Sequence, residues 1–264
     1  MQTVRLGHTV TRFALALLLG GAMLHAGAAD LLATVKARGT LKVALEGTYP
    51  PFNFKDGGTL AGYDVDVARL LAQRMGLKAE FISSEWASIL AGLSAGRYDV
   101  IVSQVGINAK RELAFDFSDP YIYSQPQLIV RKDEKASFSS LADLKGKRLG
   151  VGQGSVYEQQ AKAVGGIEVK SYPAAPDTMS DLATGRIDAA LNDSLMSAYL
   201  LKNSRLPIKA GARVGVVERM GIPFQKGNPQ FKAALNKALA EIGADGSLKA
   251  ISMKWFGIDV SKAP

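Results

Sequence analysis

Cysteine is absent from this chain. That excludes disulfides, thiol nucleophiles, thiolate metal sites and the lipid-bearing cysteine of a bacterial lipoprotein. Histidine is nearly absent, and both copies, His8 and His25, fall in the first 29 residues. Those residues have the order of a cleaved export signal: Arg5 and Arg12, an apolar run from Phe13 to Leu19, then the small residues Ala26-Gly27-Ala28-Ala29. Cleavage after Ala28 or Ala29 leaves about 235 residues with neither Cys nor His. A Ser-His triad and the usual zinc sites are thereby excluded. Any chemistry would rest on carboxylates, lysine, tyrosine or serine.

Long apolar runs are also missing after the signal, so an exported protein without a membrane span is expected. The formal charge of +8 becomes +6 without Arg5 and Arg12. Basic and acidic residues are interleaved, as in Arg131-Lys132-Asp133-Glu134-Lys135. No basic stripe carries aromatics, so nucleic-acid binding is not expected.

What is present alternates between strand and helix. Thr40 to Leu45 reads as a strand, followed by a loop, Glu46 to Phe54, stiffened by Pro50 and Pro51. Tyr49 and Phe52 in this loop either face a ligand or plug the core. Asp56-Gly57-Gly58 marks a hairpin turn. Asp64 fits the cap of a helix reaching Gln73, with Gly76 past its end. Leu77 to Phe81 alternates as a strand, and Ser83 or Ser84 starts a helix carrying Trp86, whose ring suits either core or cleft. Val100 to Val102 is a buried strand. It stops at Ser103, Gln104 and Gly106, where open α/β sheets bind ligands. Arg111 then offers a two-pronged donor for a carboxylate, or is a surface arginine at a strand edge.

The pattern resumes with strands at 127–131, 148–152, 167–172 and 187–191 and helices at 156–164, 177–184 and 194–202. One stretch repeats: Leu-Ser-Ala-Gly-Arg-Tyr-Asp-Val-Ile-Val-Ser-Gln (93–104) aligns with Leu-Ala-Thr-Gly-Arg-Ile-Asp-Ala-Ala-Leu-Asn-Asp (182–193). Gln104 and Asp193 thus hold equivalent places. Asp193 suits an ammonium partner or a helix N-cap. Gly154 and Ser155 at a helix start offer amides to an anion, with that of Val156 beside them. Met220 to Phe224 reads as a strand, followed by helices starting at Pro229 and Ser247. The expected fold is α/β with two lobes, each a mostly parallel sheet flanked by helices. The boundaries are 30–125 with 220–264 for lobe one and 126–219 for lobe two. Crossings near 124–128 and 217–221 form a hinge, and the ligand is captured by closure.

The ordered motifs Glu-Gly-Thr-Tyr-Pro-Pro-Phe (46–52), Gly-Tyr-Asp-Val-Asp (62–66), Ser-Gln-Val-Gly-Ile (103–107) with Arg111, and Asp-Phe-Ser-Asp-Pro-Tyr (116–121) are similar to one known family. Gly-Val-Gly-Gln-Gly-Ser (150–155), Gly-Arg-Ile-Asp-Ala (185–189) and Lys-Trp-Phe-Gly (254–257) extend the likeness over nearly all of the chain after the signal. The chain resembles the periplasmic amino-acid-binding proteins of ABC importers (solute-binding protein family 3), and within them the members that bind L-cystine.

The resemblance implies a monomeric periplasmic receptor without cofactor or metal, delivering its amino acid to an inner-membrane ABC permease. It implies Arg111 for the α-carboxylate, Asp193 for the α-ammonium and Tyr49, Trp86 and Phe52 as aromatic walls. Ser155 and Val156 would supply amide donors, and Glu46 would read the side chain; Ser103, Gln104, Gly106 and Gly154 complete the expected ligand set. Gly106 and Val156 stand where relatives often carry hydroxyl residues, which leaves glutamine or another polar amino acid as alternatives to cystine. A cyclohexadienyl or arogenate dehydratase-like enzyme on the same scaffold is the competing class, and prephenate turnover separates it from a receptor. A receptor's ligand-sensing module is a third, disfavoured because no membrane segment follows Pro264.

Overall fold

The computed structural model describes residue 2 and residues 30–263; the export signal expected over 1–29 therefore lies outside the described stretch. Two five-stranded sheets dominate. In the first, Lys78–Ser83, Thr40–Leu45, Val100–Ile101, Pro223–Gln225 and Phe115–Phe117 lie side by side in that order. The second runs Glu168–Tyr172, Arg148–Gly152, Ala189–Asp193, Pro126–Arg131 and Ile208–Arg213. In each, three neighbouring strands are parallel, and the fourth is antiparallel to both of its neighbours. Four of five strands therefore share a direction, but the sheets are mixed. The antiparallel strand is the one that has just crossed from the other lobe.

Central strands bury both faces, as sheets covered by helices require. Val43 and Val100 face one core cluster, Ala44 and Ile101 another, and Ile129 lies opposite Leu128 and Val130 in the second sheet. The helix Pro229–Ala244 shows why its sequence folds as it does. Proline occupies its first turn, and Phe231, Leu235, Ala238, Leu239 and Ile242 recur on one buried stripe. The two crossings pair with each other: Ile122–Ser124 is antiparallel to Glu218–Met220, with Arg219 opposite Tyr123. The expected strand 220–224 is thus two strands, broken at Gly221 and Ile222, one in this pair and one in the first sheet. No helix of the described residues is long and apolar enough to cross a membrane.

The parallel strands aim their carboxyl ends at the gap between the lobes. Leu45, Ser83 and Ile101 end on one side, and Gly152, Tyr172 and Asp193 on the other. Loops leaving those six ends are the natural place for a ligand.

Candidate functional site

A cavity of roughly 520 Å³, its open mouth included, lies between these strand ends. From the first lobe it is lined by Glu46, Tyr49, Trp86, Ser103, Gln104, Gly106 and Arg111. The second lobe contributes Gly152, Ser155, Val156, Tyr157, Ala174, Ala175 and Asn192, and the hinge adds Met220.

Arg111 is positioned by a short helix, Ala109–Ala114, that the sequence reading did not anticipate. Asn108 caps it by accepting the Arg111 amide at 2.9 Å. The side chain is only 5 % exposed. Its Nη1 donates to the Gly106 carbonyl at 2.7 Å, and its Nη2 reaches across the cleft to the Gly154 carbonyl at 3.0 Å. The guanidinium carbon sits 5.7 Å from the centre of the Trp86 ring, within cation–π range. Arg111 forms no ion pair among the described residues, and burial lowers its pKa to about 10. A buried guanidinium without a carboxylate has the charge and donors to hold an anion.

Facing it is the start of the helix Val156–Val164. The Ser155 hydroxyl caps it by accepting the Glu158 amide at 3.1 Å. The Gly154 amide is taken by Glu158 Oε2 and the Ser155 amide by the Gly152 carbonyl at 3.1 Å. The amides of Val156 and Tyr157 have no acceptor among the described residues, so they, rather than those of Gly154 and Ser155, are free to meet an anion. Gly154 contributes its carbonyl to Arg111 and does not line the cavity.

The acidic side is split between lobes. Asp193 is 1 % exposed. Its Oδ1 caps the helix Ser194–Asn203 by accepting the Leu195 and Met196 amides at 2.7 and 3.2 Å, while Oδ2 has no partner among the described residues. The cap role weighed from sequence thus occupies one oxygen and leaves the other unspent, although the neighbouring Asn192 is the residue that lines the cavity. Asn192 Oδ1 accepts the Tyr49 hydroxyl at 2.6 Å, tying the lobes together. Burial pushes the Asp193 carboxyl up to about 6. Glu46, half-buried at the wall, is pushed up to about 8 by burial and by the nearby charge of Asp64.

Three expectations change here. Asp64 does not cap its helix: the cap position is Gly62, and Asp64 is fully buried, bonded to Asn53, Gln104 and Tyr121. The second helix begins at Trp86 behind Glu85, not at Ser83 or Ser84, which puts the indole at the cavity wall. Phe52 is fully buried behind Tyr49, ring centres 5.2 Å apart, and does not line the cavity. Tyr157, Asn192 and Met220 line it without having been singled out. Asn192 was detectable as the neighbour of Asp193 in the internal repeat, and Tyr157 as the next amide of a helix start.

Gly106 and Val156 meet across the cleft. A Cβ on Gly106 would sit 2.9 Å from Val156 Cγ1 and 3.5 Å from Arg111 Nη1. The absence of a side chain at Gly106 thus leaves room for Val156.

Residues 41–258 match the family of bacterial extracellular solute-binding proteins, family 3. Over 99 % of its length the chain is 40 % identical to the whole of the L-cystine-binding protein TcyJ of Escherichia coli (strain K12). It is 39 % identical to the L-cystine-binding protein TcyA of Bacillus subtilis (strain 168), covering 88 % of this chain and 87 % of that one. An ancestral arginine-binding protein bound to glutamine superposes with a TM-score of 0.79 at 38 % identity, over 83 % of this chain and 99 % of that one. The ancestral amino acid-binding protein AncCDT-1, a precursor of cyclohexadienyl dehydratase, superposes at 0.80 with 31 % identity, over 86 % of this chain and all of that one. The fold, the cleft and the match over most of the sequence agree: the chain belongs to family 3 of the bacterial extracellular solute-binding proteins.

Proposed function

We propose that this protein is the periplasmic receptor of an ABC importer and that its ligand is an amino acid with two charged ends, L-cystine foremost. The carrying observation is the charge arrangement of the cavity. Arg111, without a carboxylate partner, faces the free amides of Val156 and Tyr157, while Glu46 at the wall and the unpartnered Asp193 Oδ2, on the residue next to the wall-lining Asn192, supply acceptors. The first group takes an α-carboxylate and the second an ammonium. L-cystine adds a second zwitterionic end, for which Glu46 and Gln104 are the polar groups in reach. The names of the two cystine-binding relatives support the same choice. A chain without cysteine also cannot be trapped by thiol–disulfide exchange with such a ligand.

Capture works by closure. A ligand shifts the open–closed equilibrium only by its extra affinity for the closed state, and a full switch takes about 5 kcal/mol. Each charged end is gripped from both lobes, so most of its binding energy exists only when the lobes meet.

The test is a thermal-shift screen of unfolded and refolded protein against the twenty amino acids and L-cystine, followed by calorimetry. L-cystine is expected to give the largest shift. A larger shift with glutamine or arginine reassigns the ligand, and no shift with any of them removes the receptor reading. The dehydratase reading has one observation in its favour: the Glu46 carboxyl sits at the cavity wall, where burial and the charge of Asp64 raise it to about 8, toward the protonated form that a general acid needs. Phenylpyruvate formed from prephenate would establish it.

A further inference from the structure

Asp64 is fully buried, does not line the cavity, and, unlike Asp193, has hydrogen-bond partners on both carboxylate oxygens, which leaves neither free for a ligand. Its oxygens are divided between two tasks. Oδ1 accepts Gln104 Nε2 and the Tyr121 hydroxyl, each at 2.8 Å; Oδ2 accepts Asn53 Nδ2 at 2.9 Å. The Tyr121 oxygen accepts from the Gln104 backbone amide at 3.3 Å and from Nε2 at 3.2 Å. Burying a carboxylate is costly, and burial raises this one to about 6. What the network holds in return is Gln104.

Gln104 is the one non-glycine residue with positive φ among the described residues, at 53°. That backbone is strained for a residue with a side chain, and such strain persists where surrounding contacts over-determine it. The network also fixes which end of the side-chain amide points where. Reversed, Gln104 would set its carbonyl oxygen against the Asp64 carboxylate, acceptor against acceptor. With Nε2 committed to Asp64 and Tyr121, Oε1 is the end left over. It is buried, has no partner among the described residues, and belongs to a residue that lines the cavity.

We propose that Asp64 is a positioning residue for ligand recognition, which, with Tyr121, turns Gln104 Oε1 toward the ligand as a fixed acceptor for an ammonium N–H. The inference rests on the amino-acid receptor reading and deepens it. The acceptor is neutral, so it selects donors without adding a third carboxyl to those of Glu46 and Asp193. A ligand with an acceptor at that point meets an orphaned oxygen and is rejected.

Asp64→Asn, Gln104→Glu and the double variant test this by calorimetry with L-cystine, alongside the melting temperature of each ligand-free protein. Asp64→Asn replaces an acceptor oxygen with a donor and frees Gln104 to turn; affinity is expected to fall at least about tenfold. In the double variant, the asparagine introduced at position 64 donates an N–H to one oxygen of the carboxylate introduced at position 104 and leaves the other oxygen as the acceptor. Affinity is then expected to return to within about threefold of wild type. A merely structural Asp64 predicts otherwise: the melting temperature recovers in the double variant and the affinity does not. That result, or wild-type affinity in Asp64→Asn, overturns the proposal. Should Asp64→Asn not fold, Gln104→Leu with Asp64 intact decides: about tenfold weaker binding is expected, and unchanged binding overturns the proposal. If the wild type binds no amino acid, the receptor reading fails and takes this inference with it. If the wild type binds and the variants bind equally, only this inference fails.

Discussion

The two lobes begin from the same plan and diverge at one point. Leu93 and Leu182 are both fully buried, and Gly96 and Gly185 both turn with positive φ, at 68° and 76°. Asp99 accepts the Lys42 amide at 2.7 Å and pairs with Arg38; Asp188 accepts the Arg148 amide at 2.8 Å and pairs with the Arg148 side chain. Each aspartate stitches its turn to the first parallel strand of its own sheet. The difference comes after the strand. In the second lobe the chain enters a helix at once, so Asp193 spends one oxygen as a cap. In the first it makes a loop from Ser103 to Asn108, and the short helix beyond holds Arg111. The lobe with the longer connection gains the cation, and the lobe with the immediate helix supplies amides and a half-free carboxylate. Arg111 and Glu46 stand in the first lobe and the free amides and Asp193 in the second, so neither lobe alone supplies all the partners of either end of an amino acid, which makes closure a condition of full binding.

The sharpest way to break this division of labour is to remove the cation. Arg111→Ala is expected to lose about 2–5 kcal/mol of ligand affinity by calorimetry, the range for leaving a desolvated charge without its partner. Wild-type affinity would remove Arg111 from the site. Next comes Asp193, where two variants separate the two oxygens. Asp193→Asn keeps a cap, so its melting temperature should stay near wild type while affinity falls by a similar amount, about 2–5 kcal/mol. Asp193→Ala should lose the affinity and, in addition, about 0.5–2 kcal/mol of stability from the uncapped helix. Equal stability in the two variants would mean that the cap contributes nothing.

A smaller effect tests the fit between the lobes. Gly106→Thr puts a Cβ against Val156 Cγ1, so closure is hindered and about 1–3 kcal/mol of affinity should be lost. Trimming the neighbour in Gly106→Thr/Val156→Ala should restore most of it. Absence of rescue would mean that the clash is relieved by movement and that the two residues are not coupled. Tyr49→Phe is milder still: it removes the interlobe bond to Asn192, worth about 0.5–1.5 kcal/mol, and should weaken every ligand alike.

How much of this was readable beforehand follows from what each element depends on. The helices Val156–Val164 and Ser247–Phe256 were legible to the residue, because Ser155 caps the first and Gly246 and Gly257 bound the second. The repeat made Gln104 and Asp193 visible as a pair. Three-dimensional satisfaction of polar groups was not visible. Asp64 looked like a cap because Asp near a helix start usually is one; only the fold brings Asn53, Gln104 and Tyr121 around it. Likewise, which amides of the 154–157 turn remain free depends on Glu158 folding back onto Gly154, a local bond that no spacing rule reveals.

The last expected effect concerns protons, and it sets the two states of the cleft against each other. Glu46 lies at about 8 in the folded protein against an ordinary value of 4.5; Asp64 and Asp193 lie at about 6 against 3.8. These are raised carboxyls, so between about pH 4.5 and 8 the empty folded protein binds more protons than the unfolded chain. Their contribution to stability is therefore greatest on the acid side and is lost as pH climbs through about 6 and then about 8. From these groups, the melting temperature of ligand-free protein should fall from about pH 4.5 to about pH 8. Binding should run the other way. An ammonium beside Glu46 and Asp193 favours their ionised forms, so the ligand displaces protons and affinity should rise from about pH 5 to about pH 8, by at most about tenfold per pH unit for each linked proton. Calorimetry in two buffers of different ionisation enthalpy measures the protons released, and Glu46→Gln should abolish the portion above about pH 7 while leaving that of Asp193. Affinity that stays flat across this range would mean that neither carboxyl meets a cation in the closed cleft, and the meeting of one acid from each lobe around an ammonium would lose its functional meaning.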